Sequence, residues 1–168
     1  RQNIAIIGDE LVGKTSIIFH FLDKFQDNRI ITLYLEARPE SPASFAKRFI
    51  GVLLYNFLTN SGMALKEDLP FLISKSEKYA PKTVEKIRLI LNSLSKRKKN
   101  GIFTELNLLP ELLHEETGKY CVVIFDEFQN LECVGFLNLY REWSKLLITN
   151  KNTMYIIVSS MKFKAKNI

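Results

Sequence analysis

The chain has 168 residues, 46% hydrophobic and 25% charged, the usual balance of a globular domain able to bury a core. Lys and Arg outnumber Asp and Glu by 24 to 18, which is compatible with an anionic partner but separates nucleotide from nucleic acid in neither direction. No apolar run reaches the roughly 20 residues of a membrane span, and two cysteines (Cys121 and Cys133) without metal-ligand spacing point to a reduced, cytoplasmic compartment.

Residues 3–7 form a short apolar run ending at Gly8, as a buried strand reads. From Lys14 the period changes, and Ile17, Ile18, Phe21, Leu22 and Phe25 fall on one helical face. Residues 30–35 are β-branched and aromatic, so a second strand is expected there. After Pro39 and Pro42 a helix over 44–58 turns Phe45, Phe49, Val52, Leu53 and Phe57 inward. Residues 59–80 read as a turn at 60–62 followed by a short helix.

Pro81 suits a first helical position, and Val84, Ile87, Ile90, Leu91 and Leu94 make the stripe of the next helix, which Asn100 and Gly101 end. The basic run Lys96, Arg97, Lys98 and Lys99 precedes that end, where the helix dipole favours cations. It therefore reads as a solvated helix end, and Lys162, Lys164 and Lys166 as a solvated tail. A helix over 102–117, bent or restarted at Pro110, closes at Gly118. Residues 120–125 are nearly all apolar, as in a parallel strand covered on both faces. Phe136, Leu139, Tyr140, Trp143, Leu146 and Leu147 mark a further helix with Trp143 in the core, and residues 155–158 a last strand. Strands alternating with helices imply an α/β fold with a parallel sheet and a helical insertion between the second and third strands.

The chemistry concentrates in two places. Gly8, Asp9, Glu10, Leu11, Val12, Gly13, Lys14 and Thr15 match G-x-x-x-x-G-K-S/T in full. In such a loop successive backbone N–H groups turn toward one phosphate and the following helix presents its positive end to the same anion. Lys14 adds charge for the β- and γ-phosphates, the Thr15 hydroxyl can ligate Mg2+, and Ser16 can donate to the α-phosphate. Asp9 and Glu10 are tolerable beside phosphate if their side chains face away. The second place is the apolar strand ending in Asp126-Glu127: Asp126 is set to hold Mg2+ at the carboxyl edge of the sheet, and Glu127 to orient and deprotonate a water.

Lesser candidates surround these. Ser159 or Ser160, just past the last strand, can touch the γ-phosphate or the attacking water, with Ser159 preferred. Gln129 and Asn130 can sense nucleotide, although a helix cap or turn also accounts for Asn130. Glu36 and Arg38 end the second strand and can couple the site to a partner. His20 and His114 stand singly, and no catalytic duty falls to them.

The full loop motif together with the Asp-Glu-Phe-Gln-Asn string of residues 126–130 resembles the archaeal-type ATPases, which lie near the AAA+ and STAND branches of the P-loop proteins. The resemblance spans residues 3–160. It implies a P-loop NTPase three-layer sandwich whose strands run in the order 1-4-3-2 with the fifth strand missing. It also implies binding of ATP and ADP, Mg2+-dependent ATP hydrolysis with Asp126 on the metal and Glu127 as base, and a sensor at Ser159 or Ser160. The family's adenine-pocket segment, arginine finger and C-terminal lid with its second sensor have no counterpart in these residues. With Arg1 rather than Met at the start and a strand beginning almost at once, the expectation is a fragment of a longer chain whose other parts contact DNA, a partner protein or further subunits, with no membrane contact.

Other P-loop classes fit less well. A GTPase needs a guanine-reading Asn-Lys-x-Asp, and Asn150-Lys151-Asn152-Thr153 lacks the acid. A transporter ATPase needs Ser-Gly-Gly, and a nucleoside kinase an arginine-rich lid; neither is found. A motor fragment of a DNA-processing protein stays open, because Asp126-Glu127-Phe128-Gln129 is similar to the Asp-Glu box of unwinding motors. So does a nucleotide-dependent signalling switch with slow hydrolysis.

Overall fold

A computed structural model describes residues 2–25, 27–60, 68–96 and 101–160. The basic residues 97–99 and 162–166, Asn100 and the end of the expected turn at 61–62 lie outside them. The elements are β1 (Ile4–Ile7), α1 (Lys14–Lys24), β2 (Ile30–Glu36), α2 (Pro42–Thr59), α3 (Leu69–Ser76), α4 (Pro81–Ser95), α5 (Ile102–Thr117), β3 (Tyr120–Asp126), a 3-10 helix (Phe128–Val134), α6 (Leu139–Thr149) and β4 (Thr153–Ser159). All strand pairs are parallel and the order is β1-β4-β3-β2. Parallel pairing puts the carboxyl ends of all four strands on one edge, and that edge carries the candidate site.

Alternation along the strands divides the interior in two. Leu33 and Leu35 of β2, Val123 and Phe125 of β3 and Tyr155 and Ile157 of β4 enter a large core with α2, α5 and α6. Its centre is aromatic: Trp143 meets Tyr155 edge-on at 4.9 Å between ring centroids and Phe125 at 5.6 Å. Among the described residues, the opposite ones, Val122, Ile124, Ile156 and Val158, meet only Ile18 of α1 as a fully buried partner. This thin layer corrects two expectations. Ile17 is 61% and Phe21 37% exposed, because a single helix with so few partners buries one narrow row rather than a wide stripe. β1 is an edge strand with Ile4 and Ile7 exposed, not the buried strand expected.

The other differences are local. Pro110 neither breaks nor restarts α5, which runs through it with Leu106, Leu109 and Leu113 buried on both sides. Phe136 precedes α6 and packs edge-on against Phe45 instead of starting the helix. α2 starts two residues earlier than expected, with Pro42 in its first turn behind the Ser41 cap. α2 also shields the free edge of β2. Arg48 donates to the Glu36 carbonyl at 2.9 Å, Asn56 to that of Thr32 at 2.7 Å and Asn60 to that of Ile30 at 2.9 Å. Four helical residues rise about 6 Å, close to two strand residues, so donors eight and four residues apart match carbonyls four and two apart.

α4 begins without a side-chain cap of its own. The Glu116 carboxylate of α5 supplies one, accepting from the Lys82 N–H at 2.7 Å and from the Thr83 N–H and hydroxyl at 2.8 and 2.7 Å. Burial alone would raise the Glu116 pKa, but these hydrogen bonds outweigh it and hold it below the usual value. Glu116→Gln is expected to cost about 1 kcal/mol near pH 7. A depressed folded pKa gives stability that is present above the unfolded value of about 4.3 and fades as pH falls through the folded one. The gap between wild type and variant in urea midpoint should therefore narrow as pH falls into the acid range; a gap that stays constant with pH would contradict the cap.

Candidate functional site

Two tight conformations shape the loop between β1 and α1. Gly13 has φ +87, a left-handed value that suits glycine, and leads directly into α1. A Cβ at Gly8 would lie 3.1 Å from the Val12 side chain, so glycine permits the close curl there. The Gly8 N–H is tied to the Ser159 carbonyl at 3.3 Å, anchoring the loop to β4. Asp9, Glu10, Leu11, Val12 and Ser16 are exposed, and Leu11 also has a left-handed φ of +62. Exposure keeps the two acids out of the protein interior. Lys14 is buried, and its ammonium donates to the carbonyls of Asp9 at 2.6 Å and Gly8 at 3.1 Å.

Asp126, 1% exposed, stands at the end of β3 with β4 lying between β3 and β1. Its Oδ2 accepts from the Thr15 hydroxyl at 2.7 Å, joining residues 111 apart in the chain. Its Oδ1 accepts from the Glu127 N–H at 2.9 Å. A third donor, unforeseen in the sequence, is the Tyr34 phenol at 2.8 Å from Oδ2. Burial first, and then the hydrogen bond to Asp126, push that phenol well above the usual tyrosine range, so it stays protonated as a donor. Tyr34 could be placed on the α1 side of β2 by alternation, but only the register, Glu36 opposite Asp126, brings it to the carboxylate.

Glu127 turns away from Asp126 because its backbone is left-handed, with φ +49. Its Oε2 accepts from Ser160 at 2.8 Å and from the Gln129 amide, whose Nε2 also donates to Ser160 at 2.8 Å. The Gln129 Oε1 accepts from the buried Ser159 hydroxyl at 2.7 Å. Ser160 thus touches Glu127 directly, while Ser159 reaches it through Gln129. The 3-10 helix that holds Gln129 is not expected from the sequence, where only Asn130 reads as a cap or turn. Asn130 is such a turn residue: its N–H closes on the Glu127 carbonyl and its amide reaches the Ala37 carbonyl at 3.3 Å.

A cavity of about 420 Å³ is lined by loop residues, among them Gly13, Lys14 and Thr15, and by Glu127. A larger one of about 500 Å³, beside β2 and α2 between Gly51, Tyr55 and Leu72, has none of the loop in its wall. Glu36 and Arg38 are exposed near the site edge, His20 is exposed on α1, and His114 packs on Tyr120 at the far end of β3. Asn150 and Asn152 precede β4, at the opposite edge of the sheet, and are engaged there by Asn107, Tyr155 and Glu111. They cannot serve as a base-reading string beside the loop. Among the described residues no three His, Cys, Asp or Glu side chains cluster as metal ligands, and no helix is long and apolar enough to cross a membrane. No protein-family model, curated protein or solved structure matches this chain.

Asp126 is buried and held by hydrogen bonds, so loss of one donor should be felt in stability even without ligand. Thr15→Val, which keeps the shape and deletes the hydroxyl, is expected to cost roughly 1.5–3 kcal/mol in urea unfolding without ligand. An unchanged midpoint would mean that the Thr15–Asp126 bond is not formed in solution.

Proposed function

We propose that this chain is the core of a P-loop ATPase of the archaeal type, a three-layer sandwich that binds ATP through residues 8–16 and hydrolyses it with Mg2+. The observation that carries the reading is the 2.7 Å hydrogen bond between Thr15 and Asp126, because it joins the two motifs at one point beside the loop cavity. Chance motif matches have no reason to meet.

The donor set suits Mg2+. A hydroxyl and a carboxylate are hard oxygen ligands, and a cation with so few protein donors takes the rest from phosphate oxygens and water, as Mg2+ does. When bound it would neutralise charge on the β- and γ-phosphates. Loop N–H groups and the start of α1 receive the phosphates, and the Lys14 ammonium exchanges its two carbonyl partners for phosphate oxygens. Glu127 accepts the proton of a water whose oxygen bonds to the γ-phosphorus as the bond to the bridging oxygen breaks, and ADP leaves with that electron pair. Gln129 and Ser160 hold the carboxylate during this step. The compartment in this reading is the cytoplasm, and any DNA or protein partner is reached through other parts of a longer chain.

One observation favours slow turnover, as in a nucleotide switch: Glu127 Oε2 already accepts two hydrogen bonds, so one of them must be given up before that oxygen can take a proton from water. Single-turnover hydrolysis, measured with and without DNA, separates a switch from a motor.

Lys14→Ala should abolish ATP binding measured by calorimetry. Glu127→Gln should keep binding within a few-fold and lower turnover on the order of 10²–10⁴-fold. Equal turnover in wild type and Glu127→Gln would remove Glu127 as the base.

A further inference from the structure

We infer that the cavity of about 500 Å³ lined by α2, Leu72 of α3 and Tyr34 of β2 is a second binding site, which takes a small, flat, uncharged molecule carrying an N–H donor. The inference is independent of the ATPase reading, because none of the loop lines this cavity.

Two features of α2 point to it. The first is a gap in the row of bonds along the edge of β2. The Arg29 carbonyl accepts from the Tyr120 N–H at 2.9 Å, and the Ala37 N–H donates to the Asp126 carbonyl at 2.8 Å. By the two-residue period of a strand, the main chain of Ile31, Leu33 and Leu35 faces β3 as well, and that of Ile30, Thr32, Tyr34 and Glu36 faces away. α2 meets three of these four carbonyls, through Asn60, Asn56 and Arg48. Position 52, which the same spacing sets against Tyr34, is a valine and has no polar hydrogen to give. Among the described residues no donor reaches the Tyr34 carbonyl, and the cavity opens beside Tyr34 and Val52.

The second feature is Gly51. Only proline suits a helix interior less than glycine does, and Gly51 lies in the middle of α2. Neither backbone nor packing asks for it: its φ is not left-handed, and a Cβ built there would meet nothing within 4 Å. Its effect is to leave room in the cavity.

The walls set the chemistry of the occupant. Tyr55, Val52 and Leu72 offer ring and aliphatic surface. The Arg48 charge is met by the Glu40 carboxylate, so an anion finds no unpaired cation there. What remains is an acceptor, the Tyr34 carbonyl, and its partner must be a donor. A strand of another chain does not fit, because three of the four outward carbonyls are occupied and one position is open. The volume is that of a small-molecule site. Tyr34 also donates to Asp126 through its hydroxyl, so the occupant shares a residue with the candidate site.

Benzamide, a flat uncharged ring with an amide N–H, is titrated into the isotope-labelled protein and followed through the main-chain NMR signals of Tyr34, Gly51 and Val52. Acetophenone, of like shape without the donor, and benzoate, of like shape with a charge, are the controls. Saturable shifts with benzamide are expected, with acetophenone and benzoate binding about tenfold more weakly, the worth of one hydrogen bond. Gly51→Leu fills the cavity, and Val52→Asn extends an amide to the Tyr34 carbonyl as Asn56 does to Thr32. In both, benzamide binding should fall about tenfold or more while the urea midpoint is kept or raised. Equal binding of benzamide and acetophenone, or tighter binding of benzoate, removes the carbonyl as anchor. Undiminished binding in either folded variant places the probe elsewhere. No saturable shift in the wild type leaves the cavity to water alone. Each of these overturns the inference.

Discussion

The site depends on a crossing of the sheet. β1, which feeds the loop, and β3, which ends in Asp126, are not neighbours; β4 runs between them. Two strand spacings are about 10 Å, too far for side chains standing straight on the strand ends to meet. The gap closes because the loop lifts the chain off β1 and sets Thr15 in the first turn of α1, where its hydroxyl reaches Asp126. The Gly8 N–H bound to Ser159 fixes the loop to the intervening strand. Shifting the strand order or the start of α1 by one residue would separate hydroxyl from carboxylate. Burial makes the requirement stricter, since a buried carboxylate must keep its donors.

The two faces of the sheet bear unequal loads. The face carrying α2, α5 and α6 holds most of the aromatic core and sets stability, with Trp143 and Phe125 at its centre. The α1 face is thin, yet the loop, Thr15 and the Phe19–Tyr34 contact all belong to it. Segments with few buried apolar partners open most readily. The element that presents the loop is thus the least firmly packed on the sheet, while the strands that hold Asp126 and Ser159 are anchored by the core behind them.

Much of the fold was legible because most of the helices have unambiguous stripes and β3 is apolar throughout its interior. The positions of Gly8, Gly13, Lys14 and Thr15 were legible because their spacing is itself the signal. Three things were not. The exposure of Ile17 and Phe21 depends on what covers the α1 face, a property of the layer and not of the helix period. Tyr34 looked like any strand aromatic, since its partner is set by β2–β3 register, which alternation along one strand leaves open. Gln129 sits in a 3-10 helix too short for a periodic pattern, and its tie to Ser159 and Ser160 links segments about 30 residues apart.

Glu127 shows how adjacent acids come to do different work. A left-handed φ of +49 is uncommon for a residue with a side chain, and such a conformation lasts only where its surroundings fix it. Here its N–H returns to Asp126 Oδ1 while its carboxylate swings toward β4. In an extended backbone the two carboxylates would project to opposite faces of β3, and the second would leave the carboxyl edge. Glycine would relieve the strain but delete the carboxylate. Gln129 then fixes the result, since only one orientation of its amide suits both neighbours: the oxygen must face the Ser159 hydroxyl and the nitrogen the Glu127 carboxylate. A movement of the end of β4 would therefore be passed to Glu127 through an amide that cannot turn over without setting its oxygen against the carboxylate.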